Sequence, residues 1–404
     1  MVQKYDDMKI LCVLGKHQYG VPSRGLGIEY DSFIPALRSL GHEVIHFESL
    51  DKSYYANFIE LNRSLIHIVE EERPDIMLTV QMHYEIWIET LQIIREEFDV
   101  ATVSWTTDDS WKFREVSRFI GKYYQAMTTT YPDMIQEYHR DGIQHVMLTQ
   151  WAATSNALLE PLAAKSCRYQ LTFIGAAHGD RADRVSKLRS LGLEVTCFGY
   201  GWPLGPVSAD AIPNIMRDSV ISLNFSNSKG ANQIKARTFE VPGAGGFLLT
   251  ENAPGLDRYY LSGKEIVTYD SLEDLVQKAK YYLSHPCERD AIALAGFQRT
   301  VKEHTYEMRL KDVLDFTCES HKRLKHIHRE HSVVQFDKVA EKHRVTLPLK
   351  LLRFLLVMPC TLIWGEKRGP RAARRLLFEF CWRFTGEKTF SSAGWPGRLF
   401  YVES

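Results

Sequence analysis

The sequence has no closely spaced pair of cysteines, although it contains seven cysteines in 404 residues. They are scattered, their number is odd, and most lie in apolar or helical surroundings. The absence of a C-x-x-C pair excludes the usual spacing of a structural zinc site, and no disulfide framework is indicated. We therefore expect reduced, structural thiols of the kind found in cytosolic proteins.

A cleavable targeting segment is not expected at the N-terminus. The first residues, MVQKYDDMKILCVLG, place acids before a short apolar run and include no small-residue cleavage site. Lys+Arg and Asp+Glu both total 50, so no net charge attracts the chain to nucleic acid. We expect a cytoplasmic protein that has no nucleic-acid partner.

The balanced total conceals a basic C-terminal segment. Residues 345–404 contain ten basic and four acidic residues, a net charge of +6 against −6 for the rest. Leu347–Trp364 is apolar, but its charged, proline-flanked start leaves a run shorter than the roughly 20 residues that span a bilayer. Residues 369–384 set the arginines at 371, 374 and 375 beside leucine and phenylalanine, which is typical of an interfacial helix. Two alternatives stay open: 345–384 binds an anionic membrane surface peripherally, or it packs back on the N-terminal domain.

Short apolar runs alternate with amphipathic stretches, the pattern of an α/β fold with parallel sheets. The first six predicted strands are Lys9–Leu14, Glu43–Phe47, Asp75–Val80, Ala101–Trp105, Ala126–Thr130 and His145–Thr149. The pattern restarts with Gln170–Ile174, Glu194–Phe198, Val220–Phe225 and Gly246–Thr250. The sequence predicts two Rossmann-like domains that face a central cleft, at 1–155 and 165–310. A linking helix at 311–344 and a helical basic tail at 345–404 complete the expected architecture.

Four motifs between Lys235 and Arg309 are informative. R-x-F-E-x-P begins at Arg237, G-G-F-L-L-T-E occupies 245–251, G-K-E-I begins at Gly263, and H-T-Y-x-x-R ends at Arg309. Upstream are LGHEVIHFE, RPDIMLTV and VSWTTDD. Over about residues 1–325 the chain resembles the CgeB-type glycosyltransferases, a bacterial group with the two-Rossmann GT-B fold. The resemblance implies metal-independent transfer of a hexose from a nucleotide-diphosphate sugar.

The resemblance implies a donor site in the second domain. Glu240 lies where such enzymes place a carboxylate that accepts hydrogen bonds from two ribose hydroxyls. Arg237 and Lys235 lie within a turn of it and can neutralise the diphosphate as the glycosidic bond breaks. A helix starting near Gln233 would also direct backbone N–H groups at the phosphates. From the residue pattern alone, Glu240 and its neighbours can equally be solvated helix residues.

One position departs from the pattern of many retaining GT-B enzymes. They carry a second glutamate eight positions before the ribose-binding one, and that position here is Asn232. An amide can hydrogen-bond a sugar hydroxyl but cannot stabilise a positive charge at the anomeric carbon. The sequence therefore leaves open whether transfer retains or inverts configuration.

Glycine-rich turns are expected to frame the nucleotide. Gly175 and Gly199 follow two predicted strands of the second domain, and Trp202 lies just beyond. In the first domain, Gly15 and His17 begin a loop that can approach the donor. This loop lacks the G-x-G-x-x-G spacing and does not indicate NAD. All of these segments also fit ordinary turn chemistry.

The first domain is expected to supply the general base and the acceptor contacts. Asp108 and Asp109 follow the predicted strand Ala101–Trp105, and either carboxylate could accept the acceptor's hydroxyl proton. The alternative is that the pair caps the helix that follows. His83 is a second base candidate, with a satisfied structural histidine as its alternative.

A cluster of histidines at 321, 326, 328 and 331 invites a metal interpretation. No acid or thiol is spaced to complete a closed site, so we interpret the cluster as a solvated linking helix. We therefore expect no metal and no cofactor other than the nucleotide sugar.

The leading hypothesis is a glycosyltransferase of bacterial cell-surface glycan synthesis (lipopolysaccharide, capsule or glycolipid), with a glycan or lipid-linked acceptor. One alternative is a non-catalytic nucleotide-sugar-binding or coat-assembly protein with a degenerate cleft, motivated by Asn232 and the uncertain base. The other is a sugar-nucleotide epimerase of the same architecture.

Overall fold

The computed structural model of the chain describes residues 7–225, 233–325 and 336–404. The chain divides into two compact units, of which the first combines Met1–Thr149 with Leu310–Ser404 and the second is Gln150–Arg309. Their boundary lies within a few residues of the one expected from the restart of the strand pattern. The C-terminal segment, however, belongs to the first unit.

The first unit is built on a six-stranded parallel sheet in the order β2-β1-β3-β4-β5-β6. Its strands are β1 Lys9–Leu14, β2 Glu43–Glu48, β3 Ile76–Thr79, β4 Ala101–Trp105, β5 Ala126–Thr129 and β6 Val146–Leu148. All six predicted strands are present. The strand order reverses between β1 and β3, and a doubly wound sheet binds ligands beyond the strand ends at such a point.

The second unit contains a five-stranded parallel sheet in the order β11-β10-β9-β7-β8. Its strands are β7 Tyr169–Ile174, β8 Val195–Phe198, β9 Ser219–Asn224, β10 Leu248–Glu251 and β11 Val267–Tyr269. Four of them match predicted strands. The edge strand β11 was not predicted.

The helices cover the faces of the two sheets. In the described ranges they are α1 Ile28–Ser39, α2 Phe58–Glu72, α3 Ile88–Glu97, α4 Asp109–Lys112, α5 Arg118–Ile120, α6 Met134–Arg140, α7 Arg181–Ser190, α8 Ala211–Arg217, α9 Arg237–Gly243, α10 Leu272–Ser284, α11 Pro286–Glu303, α12 Tyr306–Lys325, α13 Phe336–Lys342, α14 Leu347–Thr385 and α15 Trp395–Leu399. Side-chain caps begin two of them. Asn57 accepts hydrogen bonds from the first turn of α2, and Ser271 does the same for α10.

Helix α14 is interrupted at Gly365, where φ is +77°. Its second half, residues 366–385, packs into the first unit, because Phe378 and Trp382 are buried in the same core as β1 and β3. Farther on, the Ser392 backbone N–H and hydroxyl donate to the buried Glu89 carboxylate at 3.1 and 2.8 Å. The interpretation of 345–404 as a separate tail is therefore corrected, since its second part is core.

The first half of α14, residues 347–364, leaves one face exposed. Eight large apolar side chains on it are between 47% and 80% exposed: Leu347, Leu351, Phe354, Leu355, Met358, Leu362, Ile363 and Trp364. We call them the apolar face of α14. The opposite face, with Leu349 and Cys360, packs into a small cluster with Leu377 and Phe400.

By length and composition, one helical segment of the described chain could cross a membrane. It is Leu347–Phe390, with a mean hydropathy of 1.6 in its most apolar window, of which 11% is buried. From the sequence, we expected this run to be too short to span a bilayer. That expectation counted only the stretch without charged residues or proline. The break at Gly365 and the core packing of the second half leave 347–364 as the part that could contact lipid.

The buried His343 makes folding stability depend on pH. Its ring lies 4.8 Å from the Trp87 ring, and its Nδ1 donates to the Ser392 carbonyl at 3.0 Å. Burial lowers the pKa of His343 from 6.5 to about 4. Because the folded pKa is the lower one, the contribution is complete above about pH 6.5 and is lost as the pH falls toward 4. The shift corresponds to roughly 3 kcal/mol.

We expect His343→Asn, which keeps an N–H donor without a titrating ring, to flatten this dependence. Denaturant unfolding between about pH 7 and about pH 4 should show a smaller loss of free energy than in the wild type. The control is His67→Asn, because His67 is exposed beside Glu71 and should leave the profile unchanged. Parallel profiles for His343→Asn and the wild type would contradict the assignment.

Candidate functional site

The short helix α9 carries the predicted donor-binding carboxylate. It begins at Arg237, not near Gln233 as expected, and it has only seven residues. Lys235 therefore precedes the helix, and its Nζ donates to the Gln233 side chain at 2.8 Å. The expectation that a helix N-terminus near Gln233 directs its dipole at the phosphates is not supported.

Glu240 and Arg237 contact each other. The Arg237 Nη1 forms an ion pair with Glu240, and its Nε donates to the Ile174 carbonyl at 3.3 Å, at the carboxyl end of β7. The two side chains are 28% and 21% exposed, so water and ligands can reach both. A ribose bound to Glu240 would share the carboxylate with Arg237. The Arg237 guanidinium would then lie beside the phosphates attached to that ribose.

Phe239 anchors α9 in the apolar core of the second unit. Its buried ring lies 5.5 Å from the His304 ring, and the Arg309 guanidinium lies 5.8 Å from its centroid. His304 Nε2 donates to the Tyr259 carbonyl at 2.9 Å, and Nδ1 accepts from Arg309 at 2.9 Å. Burial lowers the pKa of His304, which keeps Nδ1 free to accept. The R-x-F-E-x-P and H-T-Y-x-x-R motifs thus meet to position Glu240.

Gly175, Gly199 and Trp202 come together at the ends of β7 and β8. Gly199 has φ +133°, and a Cβ on it would lie 2.4 Å from the Gly175 carbonyl oxygen. The Trp202 indole N–H donates to the same carbonyl at 2.7 Å, and its ring packs on Phe173. These residues lock two strand ends together, so their role in the structure is to shape this edge of the sheet.

An ion-pair cluster that sequence reasoning missed lies at the same edge. Arg184 pairs with Glu251, the last residue of β10, and with Asp180 at 2.7 Å. Arg181 donates to the carbonyls of Ala176 and Phe225 at 3.0 and 2.7 Å. Glu251 ends the G-G-F-L-L-T-E segment, and the position of this acid at the end of an apolar run was the available signal.

Two predicted features lie outside the described residues. Asn232 is one, and three of the clustered histidines, at 326, 328 and 331, are the other. His321 is described, and its Nε2 lies 3.3 Å from the Asp99 carboxylate. Within residues 7–225, 233–325 and 336–404, no group of three or more His, Cys, Asp or Glu side chains could hold a metal ion.

In the first unit, Asp108 and Asp109 occupy different environments. Asp109 is 1% exposed, and its carboxylate accepts hydrogen bonds from Thr106, Ser117 and Tyr138 at 2.7, 2.8 and 2.9 Å. Burial raises its pKa, and these hydroxyls oppose the rise. Asp108 is half-buried at the N-cap of α4, with φ +58° and no side-chain cap bond. The geometry therefore gives Asp109 a structural role, whereas Asp108 is the more accessible of the two carboxylates.

Glu29 is a further carboxylate at this sheet edge that sequence reasoning missed. It lies in the first turn of α1, just after the glycine-rich loop. Burial raises the pKa of Glu29, nearby Lys112 lowers it and nearby Asp108 raises it. Lys112 is 4% exposed, and burial lowers its pKa. An acid in the first turn after β1 was the signal available in the sequence.

The remaining candidates line the loops beyond β1 and β3. A Cβ on Gly15 would lie 2.7 Å from Leu50, so the loop packs closely on the segment after β2. His17 forms an isolated backbone bridge with Leu26. His83 lies against Phe378 at 5.5 Å between ring centroids, and burial holds its pKa well below the ordinary value. His83 is therefore neutral near pH 7.

Comparison with known proteins agrees with this arrangement. A family model described as glycosyl transferase-like matches residues 181–315, which include α9 and the ion-pair cluster. The spore protein CgeB of Bacillus subtilis is 22% identical over 236 residues, which cover 52% of this chain and 73% of that protein. The chain is therefore similar to the CgeB-like glycosyltransferases over part of its length.

Several solved glycosyltransferases share the fold of this chain. Sucrose-phosphate synthase of Thermosynechococcus elongatus superposes with a TM-score of 0.54 at 8% identity, covering 79% of this chain and 99% of its own. Trehalose 6-phosphate synthase of Burkholderia multivorans gives 0.54 at 10%, covering 79% and 100%. Anabaena HepE, solved with UDP and glucose, gives 0.51 at 12%, covering 77% and 100%. The fold is therefore that of GT-B glycosyltransferases.

Asp108 and Asp109 should differ in their effect on stability. We expect Asp109→Ala to lower the free energy of unfolding by about 1–3 kcal/mol, because it leaves the buried hydroxyls of Ser117 and Tyr138 without their acceptor. The matched variant Asp108→Ala should change it by less than about 0.5 kcal/mol. Urea unfolding of both variants tests this. An equal loss in both would contradict the assigned roles.

Proposed function

We propose that the chain transfers a hexose from a nucleotide-diphosphate sugar to a hydroxyl group of an acceptor. The observation that carries the proposal is the placement of Glu240 and Arg237 together on α9, beside the carboxyl end of β7. The segment matched by the glycosyl transferase-like family model contains both residues. The complex of Anabaena HepE with UDP and glucose supports a nucleotide sugar as the donor.

In the proposed reaction, Glu240 accepts hydrogen bonds from the ribose hydroxyls. Arg237 is held beside it and, with Lys235, stabilises the diphosphate as negative charge develops on the leaving group. The acceptor oxygen forms a bond to the anomeric carbon while the bond from that carbon to the diphosphate breaks. Because protein cations stabilise the leaving group, the proposed reaction needs no metal ion.

Asp108 is the proposed general base, because a carboxylate can accept the hydroxyl proton of the acceptor as its oxygen attacks the anomeric carbon. Glu29 is a nearby carboxylate, and two neighbouring carboxylates repel each other. Lys112 is buried close to both carboxylates and limits this repulsion. His83 is neutral and half-buried against Phe378, so we propose that it contributes a hydrogen bond rather than the base.

We propose that the acceptor belongs to a bacterial cell-surface glycan and that the enzyme works at the cytoplasmic face of the membrane. The apolar face of α14 is exposed over several turns and the exposed Lys350 lies among its residues, whereas Arg353 forms an ion pair with Glu403 at 2.7 Å. An exposed apolar helix face bounded by basic residues is typical of binding to an anionic bilayer surface. Each basic residue near such a surface contributes about 1 kcal/mol.

A non-catalytic coat protein is the second candidate. The relative from Bacillus subtilis is a spore protein, and in this chain Arg237 already neutralises Glu240. Such a protein would bind a nucleotide sugar without turnover. Calorimetry and a transfer assay with a panel of nucleotide-diphosphate sugars distinguish the two, and donor conversion without any acceptor would indicate an epimerase.

We expect Glu240→Ala and Arg237→Ala each to weaken donor binding about 10- to 100-fold, because a hydrogen bond to a charged group contributes about 1.5–3 kcal/mol. Transfer should fall at least as much, while the thermal midpoint without ligand stays close to that of the wild type. Calorimetry with UDP-glucose and other nucleotide sugars measures the binding, and initial rates measure the transfer.

The matched control is the Glu60–Arg63 pair on α2, which has the same spacing and lies in the other unit. Glu60→Ala and Arg63→Ala should leave binding and transfer unchanged. Wild-type turnover by Glu240→Ala would refute the site. The same assay with EDTA tests the metal claim, and activity lost to EDTA and restored by Mg²⁺ would refute it.

Membrane binding is tested on the full chain, because residues beyond 365 belong to the core. We expect the triple variant Leu351→Ser, Phe354→Ser, Leu355→Ser to lose co-sedimentation with vesicles containing phosphatidylserine. The control replaces Leu204 and Leu261, exposed apolar residues of the second unit, with serine. Sedimentation of the triple variant at the wild-type level would contradict the proposal, and retention until detergent is added would indicate a span.

A further inference from the structure

A cavity of about 170 Å³ lies in the first unit, beyond the carboxyl ends of its central strands. The segments that follow β1, β2 and β3 contribute Tyr19, Lys52 and His83 to its lining. The second half of α14 contributes Arg374, and the C-terminal residue Ser404 contributes its side chain. The C-terminal segment therefore completes a cavity at the edge of the sheet where Asp108 lies.

The carboxylates around the cavity are occupied by backbone N–H groups. Glu85 accepts from the N–H of Met82 and from that of His83, the latter at 2.8 Å. Glu48 accepts from Lys16, Leu50 and Asp51 at 2.7, 2.8 and 3.0 Å. Backbone N–H groups of the surrounding loops therefore stabilise the negative charge of both carboxylates. The same hydrogen bonds fix the conformation of these loops.

The cations at the cavity have weaker partners. The Lys52 Nζ lies 4.7 and 5.3 Å from the Phe58 and Tyr401 ring centroids. Lys112 lies behind the lining residue Met82, and its Nζ is 3.3 Å from the Met82 sulfur and 3.5 Å from the Thr107 hydroxyl. In the described part of the chain, the buried Arg374 Nε has no hydrogen-bond acceptor, and neither lysine forms an ion pair within 4.0 Å. A buried donor without an acceptor is unfavourable, and an anion that accepted from it would remove this cost.

The cations act together on His83. After burial, the largest causes that lower the pKa of His83 are the positive charges of Lys112, Arg374 and Lys52. A neutral imidazole can still donate one hydrogen bond into the cavity. The Ser404 hydroxyl donates to the Phe400 carbonyl, so the Tyr84 hydroxyl donates to Ser404 at 2.9 Å and both hydroxyl hydrogens are used. The cations and the His83 ring therefore converge on one small volume.

We propose that this cavity binds a phosphate group carried by the acceptor, with Lys52 and Arg374 as its charged ligands. A phosphate presents three oxygens that can accept from several directions at once, whereas a carboxylate presents two in one plane. The inference rests on the proposed function, because it identifies the acceptor of that reaction. It also gives α14 a part in the site.

The position of Arg374 favours a phosphate on a lipid. Arg374 lies on the second half of α14, and the exposed apolar face lies on the first half of the same helix. A lipid that rests against this face could reach the cavity with its phosphate. A free sugar phosphate has the same charged group without the acyl chains, so the two sources can be distinguished by the probe.

The test titrates the full-length protein by calorimetry with sodium phosphate, glycerol 3-phosphate and dihexanoyl phosphatidic acid at constant ionic strength. We expect phosphatidic acid to bind at least tenfold more tightly than either soluble phosphate. Lys52→Met and Arg374→Met should each weaken binding at least tenfold, and Lys52→Arg should retain it. Arg371→Met, which removes an exposed charge one turn earlier on α14, is the matched control.

Several outcomes would overturn the inference. The first is that the wild type does not bind phosphate, and the second is that Lys52→Met binds it with the wild-type affinity. The third is that UDP displaces phosphate, which would mean that the cavity is a donor site. Equal affinity for glycerol 3-phosphate and phosphatidic acid would overturn the lipid source alone. Thermal unfolding checks that each variant folds. Donor binding at Glu240 is measured separately, so its failure would refute the proposed function without changing the phosphate result.

Discussion

All strands of a parallel sheet end at the same edge, because each connection must return along a face of the sheet before the next strand begins. Both units follow this rule, and their polar candidate residues lie at the carboxyl ends of the strands. In the second unit, Glu251 and the Arg237–Glu240 pair follow or contact strand ends. In the first unit, Asp108 follows β4 and the cavity lies beyond β1 to β3. A few loop residues can therefore form sites on otherwise apolar scaffolds.

The position of each polar side chain at these sheet edges is set by the buried side chains that pack beneath it. Phe239 and Glu240 are neighbours on α9, and the contacts of Phe239 with His304 and Arg309 fix the helix that presents the carboxylate. Burial keeps His304 neutral, so that one ring nitrogen accepts from Arg309 while the other donates to a carbonyl. The R-x-F-E-x-P and H-T-Y-x-x-R motifs are far apart in the sequence, but their side chains contact each other in the structure.

The C-terminal helix has two roles that meet at Gly365. After this residue, Phe378 and Trp382 contribute to the core of the first unit, and Arg374 enters the cavity. Before it, an apolar face remains exposed. Glycine allows the change because φ is +77° there, a conformation that other residues adopt only with strain. The proposed membrane surface and the proposed phosphate site are therefore parts of one continuous segment.

The sequence by itself determined the fold class, ten of the eleven strands, and the presence of Glu240 and Arg237 near a strand end. Apolar periodicity and motif spacing are local, and they suffice for these features. Only the tertiary structure decided that Asp109 is buried among hydroxyls whereas Asp108 is not, and that Lys52 and Arg374 share a cavity. The burial of a side chain, and contacts between residues hundreds of positions apart, depend on how helices pack on the sheet. No local pattern records that packing.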